Sequence, residues 1–98
     1  MRDSVRREVT AVQIMGFNRW DTDVPNKAVV ELALKFAEAM KAQGIARLHG
    51  AWIASDHNLM WCVWDTKDVE PLQAAFDEMN RQSGLVTELT PIEKFFPK

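Results

Sequence analysis

The chain has 98 residues, of which 47% are hydrophobic and 27% are charged, and its formal net charge is −2. This length and apolar content predict a single folded domain and exclude an intrinsically disordered chain. The near balance of charge argues against nucleic-acid binding, which depends on clustered Lys and Arg. The single cysteine, Cys62, excludes an intramolecular disulfide and any zinc site built on a Cys pair.

The start of the chain is polar. Residues 1–7 contain a basic cluster, Arg2, Arg6 and Arg7, diluted by acidic residues, and they predict a flexible arm. The sequence lacks an apolar run of the ~20 residues that cross a bilayer, and its start lacks the pattern of a secretory signal. We therefore expect a cytoplasmic protein with no membrane partner.

Residues 9–17 are rich in β-branched and apolar side chains and predict the first strand. In the loop that follows, Asp21, Thr22 and Asp23 are candidate helix N-caps. Pro25 is placed to begin the helix. Apolar residues then recur at helical spacing through residues 25–43, which predicts a helix with one buried stripe, and Gly44 is placed for the left-handed residue that ends it.

Residues 46–65 predict a β-hairpin with apolar side chains on both faces. Its polar centre, residues 55–58, is made of types that favour turns. A turn centred on Asp56 and His57 gives these cross-strand pairs: Trp52 with Trp61, Gly50 with Val63, Ala54 with Leu59, Ile53 with Met60, Ala51 with Cys62, and His49 with Trp64. Because neither face is polar, we expect both faces to be covered.

A second helix is predicted after the hairpin, with Asp68 supplying the N-cap, an apolar stripe along one side, and Gly84 at the C-terminal end. Residues 85–89 alternate between apolar and polar types, as an edge strand does, and Pro91 is expected to limit its extension. The tail, residues 92–98, contains Phe95 and Phe96 and is therefore expected to dock on a surface.

The predicted order, β-α-β-β-α-β, indicates an α+β ferredoxin-like sandwich. In this fold the first and third strands are central, and two helices cover one face of a four-stranded antiparallel sheet. The uncovered face would carry large apolar side chains, which is unusual for a monomer. The sequence therefore predicts a homodimer formed through this open face, with Trp52, Trp61 and Val63 at the interface.

This order of elements, over nearly the whole chain, resembles the dimeric α/β barrel superfamily, whose small members pair through their sheets. The resemblance implies the same homodimer. The stretch Trp61-Cys62-Val63-Trp64-Asp65, followed by a helix, is similar to the third strand of a group of small bacterial proteins, some of them linked to nickel. Transition-metal binding is thus one alternative function.

The second face of the hairpin suggests a ligand site formed by His49, Met60, Cys62 and Trp64. We expect a small apolar or aromatic ligand there and no cofactor. The alternative is a cofactor-free monooxygenase or isomerase with its pocket between helices and sheet, around His49, Met60 and Trp64. An apolar cavity above ~300 Å³ would favour that enzyme, and a filled interior would favour a non-enzymatic homodimer.

Asn18, His49 and Trp64 resemble, as residue types, the Asn, His and Trp of haem-degrading and quinone-forming members of the superfamily. Their positions do not match, so no catalytic residue is assigned. The soft metal-ligand candidates, His49, His57 and Cys62, do not supply three ligands for one ion, so no metal site is predicted within one subunit. A nickel or copper ion held across a dimer axis stays open.

The RNA-recognition fold has the same order of elements and places aromatic residues two apart on its open face, where bases stack. In this chain Trp61 and Trp64 are three apart, so they lie on opposite faces of a strand. The sequence therefore argues against RNA binding.

Overall fold

A computed structural model describes residues 12–21, 23–54 and 58–97. Its elements, in chain order, are β1 (Val12–Arg19), α1 (Asn26–Ala42), β2 (Arg47–Ala54), β3 (Leu59–Thr66), α2 (Val69–Ser83) and β4 (Val86–Ile92). This order confirms the α+β ferredoxin-like fold. Neither helix within these ranges has the length and apolarity needed to cross a membrane. The predicted arm, residues 1–7, lies outside the described residues.

The four strands form one antiparallel sheet in the order β2-β3-β1-β4. The first and third strands are central, as predicted, and β2 and β4 are the edges. Burial along β3 alternates strictly, because successive side chains point to opposite faces: Met60, Cys62, Trp64 and Thr66 are buried, and the residues between them are half-buried. The buried set faces the helices.

Both helices pack on this buried face. The main core joins Met40 of α1 and Leu72 and Phe76 of α2 to Ile14 of β1 and Trp64 of β3. Phe76 lies edge-on to Trp64, with ring centroids 5.7 Å apart and planes at 84°. Edge-to-face aromatic packing of this kind is favoured by the ring quadrupoles. The apolar stripes predicted for the two helices thus form the core.

The register of the hairpin is the predicted one at five of six pairs, including Trp52 with Trp61 and Ala51 with Cys62. The sixth pair is wrong. A β-bulge lies between Leu48 and Gly50, so Leu48, not His49, is opposite Trp64. A bulge inserts an extra residue without a partner in the opposite strand. That residue here is His49.

Several boundaries differ from the prediction. β1 continues through Arg19, so that Asn18 belongs to the strand rather than to the following loop. The N-cap position of α1 is Pro25, which makes no side-chain cap hydrogen bond, so neither Asp21 nor Asp23 is the N-cap residue; Thr22, the third candidate, lies outside the described residues. β4 continues past Pro91 to Ile92. Pro is tolerated there because β4 is an edge strand and its free side makes no ladder bonds.

Other local predictions are confirmed. The Asp68 side chain caps α2 by accepting a hydrogen bond from the Glu70 backbone N–H at 3.1 Å. Gly44 and Gly84 follow the helices with φ of 71° and 81°. These are left-handed values that glycine adopts at little cost. Of the predicted turn, Asn58 has a φ of 53°, and residues 55–57 lie outside the described ranges.

The tail after β4 does not pack on its own chain. Phe95 is 82% exposed and Phe96 is 79% exposed. The surface on which this tail was expected to dock is therefore not found within the described part of a single chain.

Candidate functional site

A cavity of about 20 Å³ lies between the helices and the sheet. Met60, Cys62 and Trp64, three of the four residues in the predicted ligand site, line it from β3. Almost all of the lining is apolar. A cavity of this size holds one or two water molecules. The interior here is close to filled, far below the ~300 Å³ that was set for an enzyme pocket.

A half-open groove of about 250 Å³ adjoins the cavity, where α1 meets the edge strand β2. We call it the edge groove. Its exposed apolar residues are Val30 and Leu34 of α1 and Trp52 and Ile53 of β2. It shares four lining residues with the cavity, namely Ala33, Leu48, Ala51 and Met60. The wall between groove and cavity is thus built partly from alanines, which leave it thin.

Three hydrogen bonds converge on the thiol of Cys62. Its Sγ accepts from the indole N–H of Trp64 at 3.1 Å and from the Asn18 amide at 3.4 Å, and it donates to the Gly16 carbonyl at 3.6 Å. Burial raises the pKa of this thiol, and the hydrogen bonds from Asn18 and Trp64 and with the Gly16 backbone offset part of that rise. Since a reactive cysteine needs a lowered pKa, Cys62 is not an activated nucleophile.

Asn18 is fully buried and connects three strands. Its amide N–H donates to the Met60 carbonyl of β3 at 3.1 Å, and its carbonyl oxygen accepts from the hydroxyl of Thr87 of β4 at 2.7 Å. Burial of a side-chain amide costs little when its N–H groups and its carbonyl oxygen are hydrogen-bonded, as they are here. The sequence prediction left Asn18 in a loop and missed this role. The signal was present, because Asn18 continues the alternation of Ile14 and Gly16 on the helix side.

His49 lies away from the cavity. Its side chain is 56% exposed, and its Nδ1 is 3.5 Å from Oδ2 of Asp65 on the opposite face of the sheet. The other oxygen of Asp65 accepts from the Gln13 side chain at 3.2 Å. The structure thus does not bring His49 together with Met60, Cys62 and Trp64, and the pocket predicted around His49 and Trp64 does not form.

The uncovered face of the sheet carries Trp52 and Trp61, which the sequence assigned to it, and also Phe17, which the sequence did not assign to either face. Trp52, Trp61 and Phe17 are directly opposite one another on β2, β3 and β1. The rings of Phe17 and Trp61 are 5.6 Å apart. Val63 and Met15 form the neighbouring pair. We call these five residues the open sheet face.

Gly50 allows Trp52 to lie flat on the sheet. A Cβ on Gly50 would come within 2.9 Å of the Trp52 ring, which a real side chain could not do. The ring nonetheless remains 59% exposed, because nothing in the described chain covers it from above. The open sheet face is therefore broad, flat and apolar.

Metal binding finds no support in the described ranges, where no three residues of the His, Cys, Asp and Glu types lie close enough to hold one ion. His57 lies outside those ranges. No protein-family model, curated protein or solved structure matches this chain. The case for a function thus rests on the cavity, the edge groove and the open sheet face.

Proposed function

We propose that the protein works as a homodimer assembled through the open sheet face, in the manner of the dimeric α/β barrel proteins that its order of elements resembles. The observation that carries this proposal is the row formed by Phe17, Trp61 and Trp52 across three neighbouring strands. Large exposed apolar patches on a protein of this size indicate an interaction surface.

The shape of the surface, more than its size, supports a self-association. Four strands spaced ~4.8 Å apart and about 25 Å long present roughly 500 Å² of flat area. A specific interface buries about 800 Å² per partner, so the relief of the side chains and contacts outside the sheet must supply the rest. A second copy offers an equally flat, equally apolar face, so that two sheets stack as they do in sandwich proteins.

The polar groups lie at the two ends of the sheet and along the edge strand β4, where the exposed Glu88 is directly opposite Phe17. His49, Asp65 and Gln13 lie together at one end of the sheet. Arg19 lies at the other end, with its guanidinium 5.8 Å from the centre of the Phe17 ring. An apolar centre with a polar rim is the usual anatomy of a protein interface.

Native mass spectrometry of the purified protein tests this proposal, because it reports the oligomer, a retained ligand and a bound metal together. We expect a dimer with no metal. A monomer at every concentration would contradict the proposal, and a stoichiometric metal would favour the nickel-binding alternative.

Binding of a small apolar molecule is a second candidate, favoured by the thin wall between the cavity and the edge groove. A ligand entering there would separate α1 from β2 and widen the cavity. Trp20 packs against Val29 and Met60, which line the cavity, and its buried indole N–H has no hydrogen-bond acceptor within the described residues.

The neutral fluorescent probe N-phenyl-1-naphthylamine tests the second candidate. Ala51→Leu thickens the wall and is expected to weaken probe binding by tenfold or more. Ala74→Leu, on the exposed side of α2, is the matched control and should bind as wild type does. Absence of saturable binding, or equal binding by both variants, would contradict a ligand site at this wall.

A further inference from the structure

We infer that Phe95 and Phe96 of one copy dock in the edge groove of a second copy, so that each subunit closes the groove of the other. The inference rests on the homodimer proposed above and adds a second contact to it. Tail and groove are apolar surfaces, besides the open sheet face, that the described part of a single chain leaves uncovered.

The tail and the edge groove are both markedly exposed. Leu34 is 57% exposed and Trp52 is 59% exposed at the groove, and Phe95 and Phe96 are 82% and 79% exposed in the tail. The groove has a volume of about 250 Å³. A cavity of ~150 Å³ is enough for one benzene ring, so the groove can take one or two phenylalanine rings.

A chain cannot place its own tail at the far end of its own groove, marked by Ile53. Ile92, where β4 ends, is level with Gln13 at one end of β1, whereas Ile53 is level with Asn18 near the other end. The Ile53 end of the groove is thus about 14 Å across the sheet and about 17 Å along it, or about 22 Å from Ile92, and only the Leu48 end lies nearer, at about 15 Å. Phe95 follows Ile92 by three residues, which span only about 10 Å.

The tail and the Ile53 end of the groove therefore lie at diagonally opposite corners of the sheet. Consider two copies stacked sheet against sheet, with a two-fold axis that lies between the sheets, parallel to them and perpendicular to this diagonal. This axis places the tail corner of one copy over the groove corner of the other. It brings each tail beside the groove of the other copy and sets the strands of the two sheets at about 90°. This is one of the two usual angles for stacked sheets. The same stacking buries the open sheet face.

Disulfide trapping tests the inference. The full chain carrying Leu34→Cys and Phe96→Cys is oxidised mildly and analysed on a non-reducing gel. Cys62 is retained, because it is only 3% exposed. We expect a covalent dimer as the main product. Lys35→Cys with Phe96→Cys is the matched control. Lys35 is exposed and follows Leu34 in the chain, but it does not line the groove. We expect at least fivefold less covalent dimer from this control.

Sedimentation of the unoxidised variants separates the two proposals. In one outcome, the unoxidised variant sediments as a dimer while its oxidation gives no more covalent dimer than the Lys35→Cys control does. That result would overturn the docking of the tail and leave the homodimer intact. A disulfide formed within one chain would also overturn it. A monomer in sedimentation would overturn the homodimer, and the docking of the tail with it.

Discussion

At the scale of single residues, the core depends on a close fit between Gly16 and Cys62. They are opposite each other on β1 and β3. A Cβ on Gly16 would lie 2.9 Å from Sγ of Cys62 and 3.4 Å from Cδ2 of Leu89. The sulfur cannot move away freely, because the Trp64 indole and the Asn18 amide both donate to it.

Gly16→Ala is therefore expected to lower the free energy of unfolding by about 1–3 kcal/mol, the usual cost of overfilling a packed core. Urea unfolding at a fixed protein concentration measures it. Cys62→Ala supplies the control, because removing the sulfur relieves the clash. In the double variant, the cost of Gly16→Ala should shrink by at least about 0.5 kcal/mol. Strict additivity of the two changes would show that the clash is not the cause.

The buried thiol of Cys62 also predicts a dependence of stability on pH. Burial raises its pKa above the ordinary value of 9.0. As the pH rises past that value, the thiol ionises in the unfolded chain before it does in the folded one, so the unfolded state binds fewer protons. Stability is therefore complete below the unfolded pKa and falls above it, by up to about 1.4 kcal/mol per pH unit.

Thermal unfolding between about pH 8 and about pH 10 measures this loss. The Tm of the wild type should fall more steeply than that of Cys62→Ala, which has no thiol to ionise. Parallel curves for the two proteins would contradict the assignment of a neutral, buried thiol.

Three residues illustrate what the sequence could and could not predict at this scale. The two-residue alternation of side chains along the hairpin was enough to place Cys62 on the helix-covered side, because β3 has no bulge. His49 was misplaced because a bulge changes the register after Leu48, and no pattern in the flanking residues indicates it. The position of Asn18 could have been predicted, had the first strand been continued past Phe17.

At the scale of elements, the two helices begin differently. Asp68 caps α2 through its side chain, whereas α1 begins at Pro25 without a side-chain cap. Pro25 has a φ of −68°, a value its ring fixes in advance. Both helices are held by the packing of their apolar stripes, and α2 gains a further contribution from the Asp68 cap.

Asp68→Ala should lower the free energy of unfolding by about 1 kcal/mol, the typical value of a lost N-cap. Asp23→Ala, which removes an exposed acidic residue before α1, is the matched control and should cost less than about 0.5 kcal/mol. Chemical denaturation at one protein concentration compares them. Similar losses for both variants would indicate that the cap of α2 contributes little.

The sequence predicted these elements better than their ends. Helical spacing and the glycines at residues 44 and 84 were sufficient to predict both helices. The extension of β4 through Pro91 depends on its position at the edge of the sheet. That position follows from strand pairing over long sequence separations, which local patterns do not report.

At the scale of the whole molecule, the central claim is that the open sheet face holds two copies together. Trp52 is 59% exposed. Covering that fraction of a ~200 Å² side chain contributes about 3 kcal/mol before the cost of association is subtracted. The half-buried Phe17, Trp61 and Val63 add to this, as do the tails if they dock in the edge grooves.

Sedimentation equilibrium of Trp61→Glu at micromolar concentration tests this claim most directly. Trp61 lies at the centre of the row between Phe17 and Trp52. A carboxylate there would be buried without a partner in the dimer. Val69→Glu introduces the same charge at an exposed position of α2 and is the control, and far-UV circular dichroism verifies that both variants fold. We predict a dimer for the wild type and for Val69→Glu, and a folded monomer for Trp61→Glu; a dimeric Trp61→Glu, or a wild type that stays monomeric, would contradict the claim.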